Sequence, residues 1–174
     1  MRLYLSEILH FSTSLAIFWL MIMIFPVAWP VLLVAALLGG FFIDADHMID
    51  QIIVFGLDLD PGKLFKGASF FQSDKAYIFF HGWEYVPVLI ALSFIFKMVG
   101  LDQNWQAFTL TLAFSMLGHL LVDSLHNEMS WKGYSVINRL RYGFNHKPFL
   151  SKTTWQKHLK DKEEVSASIK KNAS

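Results

Sequence analysis

The residues that could carry chemistry are histidines and acids, and they fall into four short groups along the chain. Within an α-helix, His119 and Asp123 are four residues apart and share one face, and His126 follows three residues later. The chain contains no cysteine, which excludes thiolate ligands and cysteine nucleophiles. Imidazole and carboxylate ligands suit zinc, manganese or iron, in a site for one or two ions. The four groups are His10; Asp44, Asp46, His47 and Asp50; His81 and Glu84; and His119, Asp123 and His126.

Each group also has an explanation without a metal. The acids around His47 could mark the point where a helix leaves a membrane, and Trp83 could anchor the chain at the interface. His119 and Asp123 could form a buried hydrogen bond between helices, whereas His10 could be a packing residue. His126 could lie outside the first ligand shell or on the surface. Two further histidines, His146 and His158, lie in a basic segment and are expected to be solvated.

The elements that would position these groups are hydrophobic helices. Hydrophobic residues make up 54% of the 174-residue chain, and residues 15–43 contain no charge. That stretch exceeds the about 20 residues that cross a bilayer, and Pro26 and Pro30 are expected to break it. The pattern predicts an all-α, polytopic membrane protein with four spans, with a short helix over 46–55 and a loop over 58–74. The spans are predicted at residues 3–25, 30–43, 76–98 and 105–125.

The positive charges predict an orientation. Of the 15 Lys and Arg residues, ten follow Asn127, three lie in the middle loop (Lys63, Lys66 and Lys75), and Arg2 is near the N-terminus. Four spans place all of these on one face, which the positive-inside rule makes cytoplasmic, together with both termini. The same topology brings the four polar groups to that face. A formal net charge of +1 gives no support for nucleic-acid binding.

The chain divides by composition into three parts. Residues 1–127 are predicted to form the helical membrane domain with the metal site, and the N-terminal stretch is not expected to be a cleaved signal. Residues 128–158 are basic and amphipathic; the pattern over 134–150 suits a helix on an anionic membrane or a cap packed over the domain. Residues 159–174 are predicted to be disordered, since they contain almost no large apolar side chain.

Three stretches resemble motifs of the membrane-bound metal-dependent hydrolases, also described as LexA-binding, inner-membrane-associated hydrolases. The resemblance covers about residues 10–127 and includes an early histidine, His10. Ile43 stands where the family has a proline, and the family's second motif has two histidines, whereas this chain offers His81 and Glu84. The His-x-x-x-Asp pattern is also similar to that of helical zinc-dependent phospholipases C. The stretches are Gly39-Gly40-Phe41-Phe42-Ile43-Asp44-Ala45-Asp46-His47, His81-Gly82-Trp83-Glu84 and Gly118-His119-Leu120-Leu121-Val122-Asp123.

The resemblance implies a metal-dependent hydrolase of the inner membrane, acting on a phosphoester of a lipid or lipid-linked molecule at the cytoplasmic face. Membrane lipids are then the expected partners, zinc the expected metal, with manganese or iron as alternatives, and Glu84 or Asp46 the general base. The same ligands would also suit a metal-ion transporter, or a membrane scaffold without catalysis. The expected metal ligands are Asp44, His47, His81, His119 and Asp123, with Asp46, His10 and Glu84 completing or flanking the shell.

Overall fold

The chain is helical throughout the part that the structure describes. The computed structural model describes residues 2–57 and 68–172, and these contain α-helices and short 3-10 helices but no β-strand. The predicted all-α class is therefore confirmed. The α-helices are α1 (Arg2–Ile24), α2 (Trp29–Gly40), α3 (Asp46–Phe55), α4 (Ala68–Ser73), α5 (Tyr85–Met98), α6 (Gln103–His126), α7 (Val136–Arg141) and α8 (Lys152–Asn172).

Two helices are long and apolar enough to cross a membrane, Leu5–Ile24 within α1 and the whole of α6. A third candidate consists of α2 and the following helical stretch Phe42–Phe55, which contains α3. The two are bent by 52° and count as a span only if they are taken together. Helix α5 has only 14 residues, fewer than the about 20 that a span needs. These lengths support a membrane protein with two or three candidate spans, and the predicted number of four is not confirmed.

The third predicted helix begins nine residues later than expected, at Tyr85 instead of residue 76. Pro87 lies in the first turn of α5. Proline is tolerated there because the N–H groups of a first turn have no acceptor within the helix. The residues before it, 76–80, are not helical. The expectation that His81 and Glu84 share one face of a helix is therefore wrong, because His81 precedes α5 and Glu84 is its N-terminal flanking residue.

The described residues form two compact units. The first unit comprises Met1–Asp44 and His81–His126, and contains α1, α2, α5 and α6. Its core is apolar and includes Phe18, Met21, Leu32 and Ala107. The second unit comprises Ala45–Phe80 and Asn127–Ser174, and contains α3, α4, α7 and α8.

Glycines set the closest helix contacts of the first unit. A Cβ on Gly40 would overlap the Ser14 hydroxyl of α1, and one on Gly39 would lie 2.5 Å from the Leu112 carbonyl of α6. A Cβ on Gly118 would lie 2.7 Å from Thr13. Helices α1, α2 and α6 can therefore approach closely because these positions lack side chains.

The C-terminal part of the chain differs from its predicted form. Composition predicts disorder over 159–174, whereas α8 extends from Lys152 to Asn172 and so includes most of that stretch. Lysine and glutamate have favourable helix propensities, which accounts for the helix. The predicted amphipathic helix over 134–150 is reduced to α7, six residues long and flanked by 3-10 helices.

Candidate metal centre

Four elements of the first unit bring histidine and aspartate side chains together. His10 comes from α1, and Asp44 from the 3-10 helix that follows α2. His81 comes from the segment before α5, and His119 and Asp123 lie one turn apart on α6. These groups, far apart in sequence, form clusters that could hold a metal ion.

The facing nitrogens of His81 and His119 each have an Asp44 oxygen and an Asp123 oxygen within 3.5 Å. The His81 Nε2 and His119 Nε2 atoms are 3.0 Å apart. Asp44 Oδ1 lies 3.1 Å from the His81 nitrogen and 3.5 Å from the His119 nitrogen. Asp123 Oδ2 lies 3.5 Å and 3.4 Å from the same two atoms. Ligands about 2.0–2.2 Å from a tetrahedral ion are about 3.3–3.6 Å from each other; three of the five separations lie in that range, and the shortest two are 0.2–0.3 Å below it.

The hydrogen bond at the far side of His119 fixes the orientation of its ring. His119 Nδ1 lies 2.9 Å from the Gly40 carbonyl oxygen, which can only accept, so Nδ1 carries the proton. In the neutral ring, Nε2 then presents its lone pair towards His81 and the two carboxylates. A hydrogen bond from the second ring nitrogen to a carbonyl is the usual support of a metal-bound histidine.

His10 contacts the other oxygen of Asp123. Its Nε2 lies 3.2 Å from Asp123 Oδ1, whereas Asp123 Oδ2 faces His81 and His119. The His10 ring also stacks on the His119 ring, with centroids 3.9 Å apart. This geometry allows His10 to orient both a carboxylate and an imidazole of the cluster.

Burial leaves one side of the cluster accessible. His10, His81 and His119 are buried, and the Asp123 side chain is 5% exposed. The Asp44 side chain, at 22%, is the most exposed of the five. Water or a substrate could therefore reach the cluster beside Asp44, while the remaining ligands are shielded.

The remaining predicted site residues are Asp46, His47, Glu84 and His126. Asp46 and His47 are in the first turn of α3, in the second unit. Asp46 is buried, and its Oδ2 accepts a hydrogen bond from the Phe80 N–H at 2.8 Å. Glu84 is half-buried and belongs to no metal-holding group found among the described residues. His126 is exposed and contacts the Val122 carbonyl.

Segment 76–80, which is not helical, immediately precedes His81 in the chain. Its backbone forms hydrogen bonds with side chains of the second unit. Asp50, one turn after Asp46 on α3, accepts from the Tyr77 N–H at 2.8 Å. Arg139 donates to the Ile78 carbonyl, and to the Gly133 carbonyl at 2.7 Å. Asp46 and Asp50 therefore bind the backbone N–H groups of segment 76–80. Their acidic character alone does not indicate this role.

Arg139 is the important residue that sequence reasoning missed. The amphipathic pattern over 134–150 gives no sign that this arginine is buried, yet it is fully buried. The alternation of Arg139 and Arg141 around α7 could have suggested opposite environments, but nothing in the sequence identifies the two carbonyl partners.

A second polar cluster surrounds Asp74. His158 Nε2 lies 3.0 Å from Asp74 Oδ1, and Lys162 Nζ lies 2.6 Å from Asp74 Oδ2. Burial acts to raise the pKa of Asp74, but the hydrogen bonds from Lys162 and His158 outweigh it and lower the pKa. The prediction that His146 and His158 are solvated is wrong: both are buried, beside each other and Trp155. Burial, reinforced by His158, lowers the pKa of His146 to about 4.

Comparison with known proteins found no relative of this chain. No protein-family model matches the sequence, and neither a curated protein nor a solved structure matches it. The function must therefore be argued from the site itself.

Proposed function

We propose that this protein is a membrane-embedded, metal-dependent hydrolase that cleaves a phosphoester of a lipid or lipid-linked substrate. The observation that carries the proposal is the approach of His81 Nε2 and His119 Nε2 to 3.0 Å, with Asp44 and Asp123 oxygens within 3.5 Å of both. Two unprotonated imidazole nitrogens repel each other at this distance unless a proton or a cation lies between them. A divalent cation satisfies both nitrogens and both carboxylates at once.

Zinc is the metal that we assign to this site. Two imidazoles and two carboxylate oxygens form a donor set that zinc accepts, and their separations are close to those of a tetrahedron. Manganese and iron bind the same donor types and are the alternatives. We assign one ion, held by Asp44, His81, His119 and Asp123.

The surrounding residues have distinct roles in this proposal. His10 orients Asp123 through its outer oxygen, and the Gly40 carbonyl orients His119. A zinc ion held by these residues would supply Lewis-acid chemistry towards water and a phosphoryl oxygen. We assign Glu84 as the general base that accepts the water's proton, because Asp46 already accepts the Phe80 N–H and is buried.

The substrate class follows from the surroundings of the site. The cluster is in the unit that contains the two long apolar helices, and a soluble substrate would not need a site of that kind. We propose four spans in the inner membrane, with both termini and the site at the cytoplasmic face, as the positive-inside rule favours. The resemblance of the three motifs to the membrane-bound metal-dependent hydrolases supports this assignment.

The test is hydrolysis by the zinc-loaded protein in mixed micelles, with phosphatidic acid, phosphatidylglycerol and bis-p-nitrophenyl phosphate as probes. We expect phosphoester cleavage that His119→Ala abolishes and that His126→Ala, an exposed histidine on the same helix, leaves intact. Cleavage that survives both His119→Ala and Asp123→Ala would contradict the proposal.

A metal-ion transporter is the second candidate, and one observation favours it. Thr111 and Ser115 precede His119 on α6 at intervals of one turn, and all three are buried. The Thr111 hydroxyl, however, donates to the Ala107 carbonyl of its own helix, as a packing residue does. Zinc flux into proteoliposomes that Thr111→Val and Ser115→Ala abolish would establish transport in place of hydrolysis.

A further inference from the structure

A set of large apolar side chains on the second unit is exposed although it lies outside the candidate spans. The set, named here the interfacial patch, comes from the 3-10 helix Trp131–Tyr134, from α7 and from the residue after α7. Exposure of an isolated apolar residue is ordinary, but four large ones within twelve residues indicate a covered surface. The patch consists of Trp131 (62% exposed), Ile137 (59%), Leu140 (59%) and Tyr142 (51%).

The orientation of α7 is fixed, so its exposed face cannot turn inward. At 100° per residue, Ile137, Leu140 and Arg141 lie on one side of the helix and Arg139 on the other. Arg139 is fully buried and anchored by its hydrogen bonds to the Gly133 and Ile78 carbonyls. Rotating the apolar face inward would break these hydrogen bonds. The Arg139 guanidinium would then be exposed to solvent, or would stay buried without its acceptors.

The exposed charged residues of segment 129–150 are all basic, and Glu128, directly before it, pairs with Lys157. Residues 129–150 include four basic residues and no Asp or Glu. Lys132 lies with its Nζ 5.9 Å from the centre of the Trp131 ring, and Arg141 is exposed beside Ile137. Aromatic rings combined with Lys and Arg are typical of surfaces that sit at the headgroup level of a bilayer.

We propose that the interfacial patch docks onto anionic phospholipid headgroups of the membrane that the first unit crosses. Trp131 is five residues beyond the end of α6, so the chain limits it to about 18 Å from that helix end. The inference rests on the membrane location in the proposed function but not on hydrolysis or on the metal. Its consequence is that the second unit is held against the lipid surface by its own contacts, as well as by the chain.

The absence of cysteine from the sequence allows a direct test on the full-length protein. Single cysteines replace Leu140 in the patch, Gln156 on exposed α8, and Met23, which is 77% exposed on α1. Each carries a nitroxide spin label in phosphatidylcholine vesicles, with or without phosphatidylglycerol. Accessibility to oxygen, which partitions into lipid, is compared with accessibility to a water-soluble nickel chelate.

We expect the Leu140 label to favour oxygen several-fold over the Gln156 label in vesicles with phosphatidylglycerol. Lys132→Gln with Arg141→Gln should reduce that preference, as should omission of the anionic lipid. A Leu140 label as accessible to nickel as the Gln156 label would overturn the docking proposal. Protection of Leu140 that depends on protein density, with no oxygen preference, would assign the patch to a second copy of the chain and also overturn it.

The Met23 label separates this proposal from the membrane assignment. If Met23 contacts lipid while Leu140 does not, docking fails and the membrane assignment stands. If Met23 itself is water-accessible, both fail. Neither result depends on metal content or on activity.

Discussion

The two units of this protein each contain histidines beside aspartate, but the two clusters differ in how their charge is balanced. Around Asp74, one carboxylate oxygen pairs with Lys162 and the other with His158. The positive charge of Lys162 therefore balances the negative charge of Asp74. In the first unit, His81 and His119 point their nitrogens at each other and at two carboxylates. The sequence of that unit contains one Lys and one Arg, Lys97 and Arg2.

This difference teaches what distinguishes a candidate metal site from a structural polar cluster. Histidine and aspartate occur in both, so residue type and burial do not separate them. The donor atoms that face one another do: two imidazole nitrogens and two carboxylates meet in the first unit, and no Lys or Arg is paired with them in the contacts given above. The following predictions test the contrast, from the largest expected effect to the smallest.

Removal of zinc should destabilise the wild-type protein and should have no effect on a variant without the ligands. A ligand at about 1,000 times its Kd stabilises the folded state by about 4 kcal/mol. We therefore expect a chelator to lower the melting temperature of the wild type and of His158→Ala, which alters only the Asp74 cluster. The melting temperature of His119→Ala/Asp123→Ala should not respond. An equal chelator response in all three proteins would remove the distinction between the clusters.

Arg139→Met should reduce the free energy of unfolding by about 3 kcal/mol, because two buried carbonyls lose their donor. Arg141→Met, an exposed neighbour on α7, is the matched control and should change stability by less than about 0.5 kcal/mol. Thermal unfolding in detergent measures both. Similar stabilities for the two variants would show that the hydrogen bonds to segment 76–80 contribute little.

His10→Ala should weaken zinc affinity by about 10–100-fold while leaving one ion bound at saturation. The reason is that His10 contacts Asp123 Oδ1, whereas His81 and His119 contact Asp123 Oδ2. Competition with a zinc-binding dye measures the affinity, with Ser12→Ala, at an exposed position of α1, as control. Complete loss of zinc would instead make His10 a direct ligand.

The second unit should lose stability as the pH falls from about 6.5 to about 4. The unfolded chain protonates His146 near its ordinary pKa of 6.5, whereas the folded chain does so only near pH 4. Within this window the unfolded state binds more protons, so acid favours unfolding, by an estimated ~1–2 kcal/mol. The contribution of Asp74 has the same sign but is lost at lower pH, since the pKa of that carboxyl is lowered.

Urea unfolding at pH 7 and pH 5 measures this effect, followed by fluorescence in a background where Trp155 is retained and the other five Trp residues are replaced by Phe. His146→Gln should abolish the part of the pH dependence that belongs to this window. If wild type and His146→Gln lose the same stability between the two pH values, His146 is not the group responsible.

Much of the helical frame could be predicted because it depends on local signals. Pro26 lies between α1 and α2, Pro30 is in the first turn of α2, and the helix predicted over 46–55 matches α3. The spacing of His119 and Asp123 on one helix was also sufficient to place them together. Their partners, His81 and Asp44, could be proposed from topology because both lie near the ends of hydrophobic segments.

The rest depends on long-range contacts that leave no local signal. The late start of α5 reflects hydrogen bonds from Tyr77 and Phe80 to Asp50 and Asp46 on α3. Arg139 looks like a surface charge until its carbonyl partners are known. His158 looks solvated because Asp74, its partner, is distant in sequence. In each case a buried polar group is paired with a residue that no periodicity could identify.

The most direct measurement is the metal content of the detergent-purified protein, by elemental analysis after exposure to zinc, manganese and iron. The wild type is compared with His119→Ala/Asp123→Ala and with His126→Ala, the exposed histidine of the same helix. We predict about one equivalent of zinc in the wild type and in His126→Ala, and none in the double variant. Equal metal content in all three, or none in the wild type after loading, would contradict a metal centre at His81, His119, Asp44 and Asp123.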